Sequence, residues 1–135
     1  MAERTLMIIK PDAVSQNVIG QIVKQVEDKG FNIIKMQMMR LTQAQAAEFY
    51  AVHRERPFYN DLLNFMTSGP AVPMVLEREN AVCTLRGVVG ATNPSEAANG
   101  TIRKTFGSNM QKNAVHASDS PENGAIESVF FFGAP

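Results

Sequence analysis

Residues 112–120 are KNAVHASDS, a stretch in which a short strand meets the start of a helix. The apolar positions around His116 predict a strand over 114–117. Ser120 then serves as a helix cap, with Pro121 at the first helical position, where its missing N–H costs no hydrogen bond. A histidine at this corner is a nucleophile, a metal ligand or an ordinary polar loop residue. Other parts of the sequence are needed to distinguish these three roles.

The segments outward from this corner alternate between strand and helix patterns. Residues 5–9, TLMII, predict a buried strand that stops before Pro11. Pro73 interrupts another predicted strand, where one ladder hydrogen bond must be missing. Thr42 is predicted to cap a helix. Further strands are predicted at 31–41 and 71–77, and helices at 17–29, 42–52, 60–66 and 79–86. Helices segregated over a small, mostly antiparallel sheet fit this order, so the predicted class is α+β.

The segment from 87 to 113 is rich in Gly, Asn, Pro, Ser and Thr, with one helical turn predicted near 101–106. Loops of this length are usually functional or disordered.

The composition is that of one compact domain over residues 1–135. Thirteen basic and thirteen acidic residues cancel, which gives no support for binding to nucleic acid or to a membrane surface. The single cysteine, Cys83, excludes an intrachain disulfide and a multi-cysteine metal site, as expected in a reducing compartment. The apolar run from Leu6 to Ile9 is too short for a signal peptide or a membrane span. We therefore expect a cytoplasmic protein.

The common phosphate-binding and hydrolase motifs are missing from the sequence. There is no Gly-x-x-x-x-Gly-Lys-Ser/Thr loop, no Gly-x-Gly-x-x-Gly fingerprint and no Gly-x-Ser-x-Gly elbow. Cationic and hydrogen-bonding residues do stand beside turns, and a pocket that collected them would suit a polyanion. The alternative is that each charged residue is a solvated surface group. The residues concerned are Lys10, Arg86, Thr92, Arg103 and Asn113.

His116 needs an acceptor on its second ring nitrogen to act as a nucleophile. Glu127 is a candidate, because it lies seven positions after Ser120 and returns to about the same helix face. The alternative is a corner histidine satisfied by the cap residues. Phe58 and Tyr50 are either core residues or a stacking surface for a nucleobase. The second histidine, His53, is expected on the surface of a helix.

The motifs together resemble the nucleoside diphosphate kinase family. The matching segments are TLMIIKPDAV, ERPFY, FMTSGPAVPMVLE, GATNP, GTIRK and NAVHASDS, and they extend from residue 4 to about 132 in the family's order. The resemblance implies a ferredoxin-like α/β sandwich, with a four-stranded antiparallel sheet covered by helices. It also implies transfer of the terminal phosphate of a nucleoside triphosphate, mainly ATP, to a nucleoside diphosphate through a phosphohistidine, with broad base specificity.

The resemblance assigns roles to individual positions. His116 would carry the phosphate, Glu127 and Ser118 would support its imidazole, and Tyr50 would shape the site. Mg²⁺ would be carried by the nucleotide phosphates, with few or no direct protein ligands. Phosphates and ribose would be bound by Lys10, Arg86, Thr92, Arg103 and Asn113, and the base would stack on Phe58.

Two departures from the family pattern bear on this expectation. Ala117 stands where the family usually has Gly after the active histidine, and it would strain the site only if that position needs a positive φ. The sequence also stops at Pro135, where family members commonly continue for about ten residues or more, and that tail often contributes to subunit contacts. We expect a homo-oligomer, with a tetramer favoured over a dimer.

Two other hypotheses about function compete with the kinase. One is a nucleotide-binding module that has lost turnover, and the other is an RNA-binding ferredoxin-like domain.

Overall fold

The computed structural model describes residues 2–133 and contains the four-stranded antiparallel sheet that was predicted. The spatial order is β2-β3-β1-β4, with every neighbouring pair antiparallel. The short strand β4 lies at one edge, where His116 stands opposite Ile8 of the inner strand β1. The strands are β1 (Glu3–Ile9), β2 (Asn32–Met36), β3 (Val72–Arg78) and β4 (Val115–Ala117).

Two of the helices begin at the capping residues that the sequence predicted, Thr42 and Ser120. The Thr42 hydroxyl accepts from the Gln45 N–H, and the Gln45 side chain accepts from the Thr42 N–H, forming a capping box. The Ser120 hydroxyl accepts from the Asn123 N–H, and Pro121 follows at the first position, as predicted. The helices are α1 (Pro11–Ser15), α2 (Ile19–Asp28), α3 (Gln43–Phe49), α4 (Tyr59–Met66), α5 (Ala81–Val89), α6 (Ile102–Phe106) and α7 (Pro121–Phe132), with 3₁₀ turns at Ala51–His53 and Pro94–Glu96.

Strand β1 is buried on both faces, which explains its continuous apolar sequence. Met7 and Ile9 pack into a core with α2 and α5, whereas Leu6 and Ile8 pack into a second core with α3 and α4. All four side chains are fully buried, and each such burial stabilises the fold by about 1.5–3 kcal/mol. The strand is therefore a rigid base for the residues that follow it.

Pro73 lies in an inner strand, a position that proline rarely occupies. Its carbonyl accepts from the Gln37 N–H at 3.2 Å, so the missing N–H faces the side of β2, just beyond the end of that strand at Met36. Hydrogen bonding resumes at the isolated bridge between Met39 and Ala71. The missing donor that was predicted thus falls where regular pairing has already ended.

Two short elements were not predicted. Pro11, which was read only as the end of a strand, is also the first residue of α1. The segment from 87 to 113 contains the 3₁₀ turn Pro94–Glu96 in addition to α6, which corresponds to the helical turn predicted near 101–106. No helix within residues 2–133 is long and apolar enough to cross a membrane.

Candidate active site

His116 is held by a carboxylate from the last helix. Its Nε2 lies 2.9 Å from Oε1 of Glu127, and the Ser118 hydroxyl donates to the same oxygen at 2.6 Å. Because an ionised carboxylate only accepts hydrogen bonds, the Nε2 atom carries the hydrogen and Nδ1 keeps its lone pair. The arrangement presents one ring nitrogen as a nucleophile and fixes the orientation of the ring.

Lys10 is buried at the end of β1, with 7% of its surface exposed. Its Nζ donates to Oδ1 of Asn113 at 2.9 Å, and the Asn113 amide in turn donates to the carbonyls of Thr92 and Met110. Burial, and then the positive charge of Arg103, lower the pKa of Lys10 to about 8. A lysine that is this costly to keep charged indicates a site built to receive an anion.

Arg103 is the second buried cation, also 7% exposed. Its two Nη atoms donate to the carbonyls of Gly90 and Val115, at 3.2 and 2.9 Å, while its buried Nε has no partner. Burial, and then the charge of Arg86, lower its pKa to about 10. Among residues 2–133, neither Lys10 nor Arg103 forms a salt bridge, so both cations are available to bind an anion.

A cavity of about 370 Å³ joins these groups. Phe58 is 46% exposed at its rim, while the Tyr50 hydroxyl is buried in the structure without a hydrogen-bond partner. Burial, and then the charge of Glu127, raise the pKa of Tyr50, which keeps that hydroxyl protonated. Seven of the expected site residues line the cavity: Lys10, Tyr50, Phe58, Thr92, Arg103, Asn113 and His116.

The other three expected residues lie outside the cavity wall. Ser118 and Glu127 stand behind the imidazole, where they contact its far nitrogen or each other. Arg86, on α5, is not among the lining residues, although its charge reaches both Arg103 and Asp119. Ser118 and Glu127 are therefore linked to the cavity through His116, whereas Arg86 has no hydrogen bond to a lining residue among those described.

Sequence reasoning missed four residues of the lining. His53, expected on the surface, is half-buried in a 3₁₀ turn and faces the cavity between Tyr50 and Phe58. Its spacing of three from Tyr50 is the signal that was available, because residues three apart share a helix face. Leu62 has a similar signal, because it lies four positions after Phe58 at the start of α4, whereas Met110 and Gln111 have none.

Backbone strain occurs near His116, but not at Ala117. Ala117 is an extended residue of β4 paired with Met7, and it is not among the residues with positive φ. Alanine in place of glycine therefore costs this position no backbone strain. The strained residue is Ala114, fully buried with φ +75°, a conformation that costs an L-residue about 1–3 kcal/mol.

The residues of the site do not form a metal centre of their own. Within the part of the chain that is described, no group of three or more His, Cys, Asp or Glu side chains is placed to hold an ion. The donors around the cavity are cations and amides, which fit phosphate oxygens. They fit a metal only as an ion that enters with those phosphates.

The sequence pattern of the nucleoside diphosphate kinase family matches residues 3–135. The chain belongs to this family. The nucleoside diphosphate kinase of Geobacter sulfurreducens is 56% identical over 130 residues, covering 96% of this chain and 95% of the relative. That of Chlorobium luteolum is 54% identical over 132 residues, covering 98% and 94%.

Solved structures of nucleoside diphosphate kinases agree with this fold. The Aquifex aeolicus enzyme superposes with a TM-score of 0.95 at 47% identity, covering 98% of this chain and 96% of that one. The Halobacterium salinarum enzyme, solved in complex with CDP, gives a TM-score of 0.95 at 38% identity, covering 99% and 90%. The ferredoxin-like sandwich implied by the resemblance is confirmed. The chain is a nucleoside diphosphate kinase by family, a phosphotransferase acting between nucleotides.

Proposed function

We propose that the chain transfers the terminal phosphate of a nucleoside triphosphate, mainly ATP, to a nucleoside diphosphate through a phosphohistidine at His116. The observation that carries this proposal is the oriented imidazole of His116 in one cavity with two buried cations that have no salt-bridge partner. A nucleophile and an anion site in the same cavity are the two requirements of phosphoryl transfer.

The reaction is a pair of displacements at phosphorus. The Nδ1 lone pair of His116 attacks the γ-phosphorus, the bond from that phosphorus to the bridging oxygen breaks, and the nucleoside diphosphate leaves with the electron pair. A terminal oxygen of a second diphosphate then attacks the same phosphorus and the P–N bond breaks. The protein is returned unchanged, with no redox step and no net proton transfer to the chain.

Glu127 and Ser118 support both displacements. The imidazole gains positive charge when Nδ1 forms its bond to phosphorus, and the carboxylate 2.9 Å from Nε2 stabilises that charge. Ser118 fixes the carboxylate through its 2.6 Å hydrogen bond. Because Glu127 lies behind the ring and not in the cavity lining, its contribution falls on the chemical step more than on nucleotide binding.

The phosphates are bound by the cationic wall. Lys10 and Arg103 offer N–H groups to phosphate oxygens, and Thr92 adds a hydroxyl at the same cavity. Asn113 is proposed to contact the ribose or the phosphates, which its hydrogen bond to Lys10 and its position in the cavity lining support. Arg86 joins this set by long-range charge, supported by its effect on the pKa of Arg103.

Phe58 at the cavity rim is proposed to stack on the nucleobase. A ring that is 46% exposed beside a phosphate site has a free face for stacking. Every base has a π-face, so such a contact discriminates weakly and broad base specificity follows. Tyr50, which is buried deeper and stacks on His53, is proposed to shape the cavity wall.

Mg²⁺ is proposed to enter the cavity on the nucleotide. When bound, it neutralises charge on the phosphate oxygens and holds them in a defined geometry. The residues that face those phosphates on the protein side are the cations Lys10 and Arg103, which repel a free divalent ion.

We further propose that the chain forms a homo-oligomer, with a tetramer favoured over a dimer. The support is a pair of exposed apolar side chains, Met36 at the end of the edge strand β2 and Met38 just after it. The free, exposed Cys83 supports a cytoplasmic location. We treat residues 1–135 as one nucleoside diphosphate kinase domain. Light scattering after size exclusion measures the assembly directly.

Steady-state kinetics with ATP and GDP test the proposed cycle. A covalent intermediate predicts parallel lines in double-reciprocal plots, and exchange of label between ADP and ATP without a second diphosphate. Intersecting lines and no ADP–ATP exchange would indicate direct transfer between two bound nucleotides and would contradict the proposal. His116→Asn is the control that must abolish the exchange.

A further inference from the structure

The peptide at Ala114 is held in a strained turn immediately before the strand that carries His116. The Val115 N–H donates to the Asn113 carbonyl at 2.9 Å, two residues back, so Ala114 is the centre of a γ-turn. With φ +75° this is the rare form of the turn, which an alanine adopts only when its surroundings impose it.

The turn determines which side chains share the cavity. Asn113 and His116 are three residues apart, so in one continuous strand they would point to opposite faces of the sheet. Both line the same cavity, while Val115 and Ala117 point into the core. The reversal at Ala114 is what brings the amide and the imidazole to one side.

Residues that follow β1 form hydrogen bonds with both the carbonyl and the N–H of Ala114. The Lys10 N–H donates to the Ala114 carbonyl at 2.9 Å, and Oδ2 of Asp12 accepts from the Ala114 N–H at 3.0 Å. Among these contacts only the one from Asp12 comes from a side chain. Asp12 is half-buried, and its Oδ1 is buried without a hydrogen-bond partner.

The unpaired oxygen shows that Asp12 is placed at a cost to the fold. Burial raises the pKa of its carboxyl group, while the Ala114 N–H and then the charge of Lys10 act in the opposite direction. A buried polar atom without a partner is uncommon and calls for a reason, such as the maintenance of strain at a functional site.

We propose that Asp12 is a positioning residue of the phosphoryl-transfer site, which holds Ala114 in its strained turn and so aligns Asn113 and His116. This inference rests on the proposed phosphohistidine at His116. Asp12 itself does not line the cavity and touches no reacting atom.

The test measures phosphorylation of His116 by ATP in a single turnover, per folded molecule, in five variants and the wild type. Asp12→Ala is expected to slow the step about tenfold or more, since small misplacements of reacting groups are costly. Asp12→Asn keeps an acceptor oxygen and is expected to stay within about threefold of the wild type. Asp28→Ala, which removes an exposed carboxylate paired with Lys24, is the matched control and leaves the rate unchanged.

The deciding variant is Asp12→Ala combined with Ala114→Gly. Glycine adopts positive φ without steric cost, so Asp12 becomes dispensable and the double variant reacts within about threefold of Ala114→Gly alone. A purely structural role would lower the melting temperature and leave the rate per folded molecule unchanged, without specific rescue by glycine.

The outcomes are separable from those of the proposed function. If the wild type forms no phosphohistidine at His116, the proposed function fails. If the wild type does form it but Asp12→Ala slows the step equally in both backgrounds, or not at all, the positioning role is overturned. If Asp12→Ala does not fold, a folded and active double variant supports the role, whereas an unfolded double variant overturns it.

Discussion

Oε1 of Glu127 accepts two hydrogen bonds at once, from Nε2 of His116 at 2.9 Å and from the Ser118 hydroxyl at 2.6 Å. The histidine comes from the edge strand β4 and the carboxylate from α7, separated by the turn that starts at Ser118. The short connection fixes the distance between the two groups, so the imidazole is oriented before any nucleotide binds.

Glu127→Gln is expected to lower kcat by about tenfold to a hundredfold, because loss of the charge behind a reacting ring removes its stabilisation. The KM for nucleotides should change little, since Glu127 does not line the cavity. Steady-state kinetics check both values. Glu122→Gln, an exposed change on the same helix, is the control and should match the wild type. Equal kcat values for the two variants would show that Glu127 is dispensable.

Nucleotide affinity is expected to fall as the pH rises above about 8. The pKa of Lys10 is lowered to about 8 in the free protein, and bound phosphates raise it again, so binding above that pH must take up a proton. Calorimetric titration with ADP at pH 8, in two buffers of different ionisation enthalpy, should give an uptake of about half a proton. Lys10→Met should remove this uptake and the exposed Lys112→Met should keep it. The same uptake in both variants would assign the proton to another group.

Two glycines should respond oppositely to alanine. Gly20 lies exposed in α2 with no heavy atom within 4 Å of an added Cβ, so Gly20→Ala should stabilise the fold by about 0.5 kcal/mol. A Cβ on Gly107 would lie 2.7 Å from the Arg103 carbonyl and 2.7 Å from Pro94. Gly107→Ala should therefore cost about 1–3 kcal/mol, measured by urea unfolding. Similar effects at both positions would refute the packing around Gly107.

The capping box of α3 gives a prediction on stability alone. Thr42→Ala removes the acceptor for the Gln45 N–H and should lower the free energy of unfolding by about 1 kcal/mol. Thr84→Ala, in the middle of α5, is the control and should be neutral or slightly stabilising. Thermal unfolding compares them, and a Thr42→Ala variant as stable as the wild type would mean that the cap contributes nothing.

Local chemistry made much of the fold predictable from the sequence. The caps at Thr42 and Ser120 and the apolar run 5–9 are signals carried within a few residues, and each corresponds to an element that the structure contains. The approach of Glu127 to His116 was also accessible, because strand, turn and helix pitch bridge only eleven positions.

Contacts between distant segments were not accessible in this way. The bond from Lys10 to Asn113 joins residues 103 positions apart, and only the sheet order brings them together. The sequence raised a question of strain at Ala117, whereas the strain lies at Ala114, where contacts from Lys10 and Asp12 impose it. A positive φ at an alanine has no local sequence signal, since alanine does not prefer it.

Incubation with ATP labelled at the γ-phosphate, followed by mapping of the label, tests whether His116 carries the phosphate. The two histidines of the chain both line the cavity, so the position of the label is informative. The expected product is an acid-labile, alkali-stable phosphoprotein with its label on His116, retained in His53→Asn and abolished in His116→Asn. A protein that takes up no label, or that carries it on His53 or as an acid-stable ester, would rule out a phosphohistidine at His116.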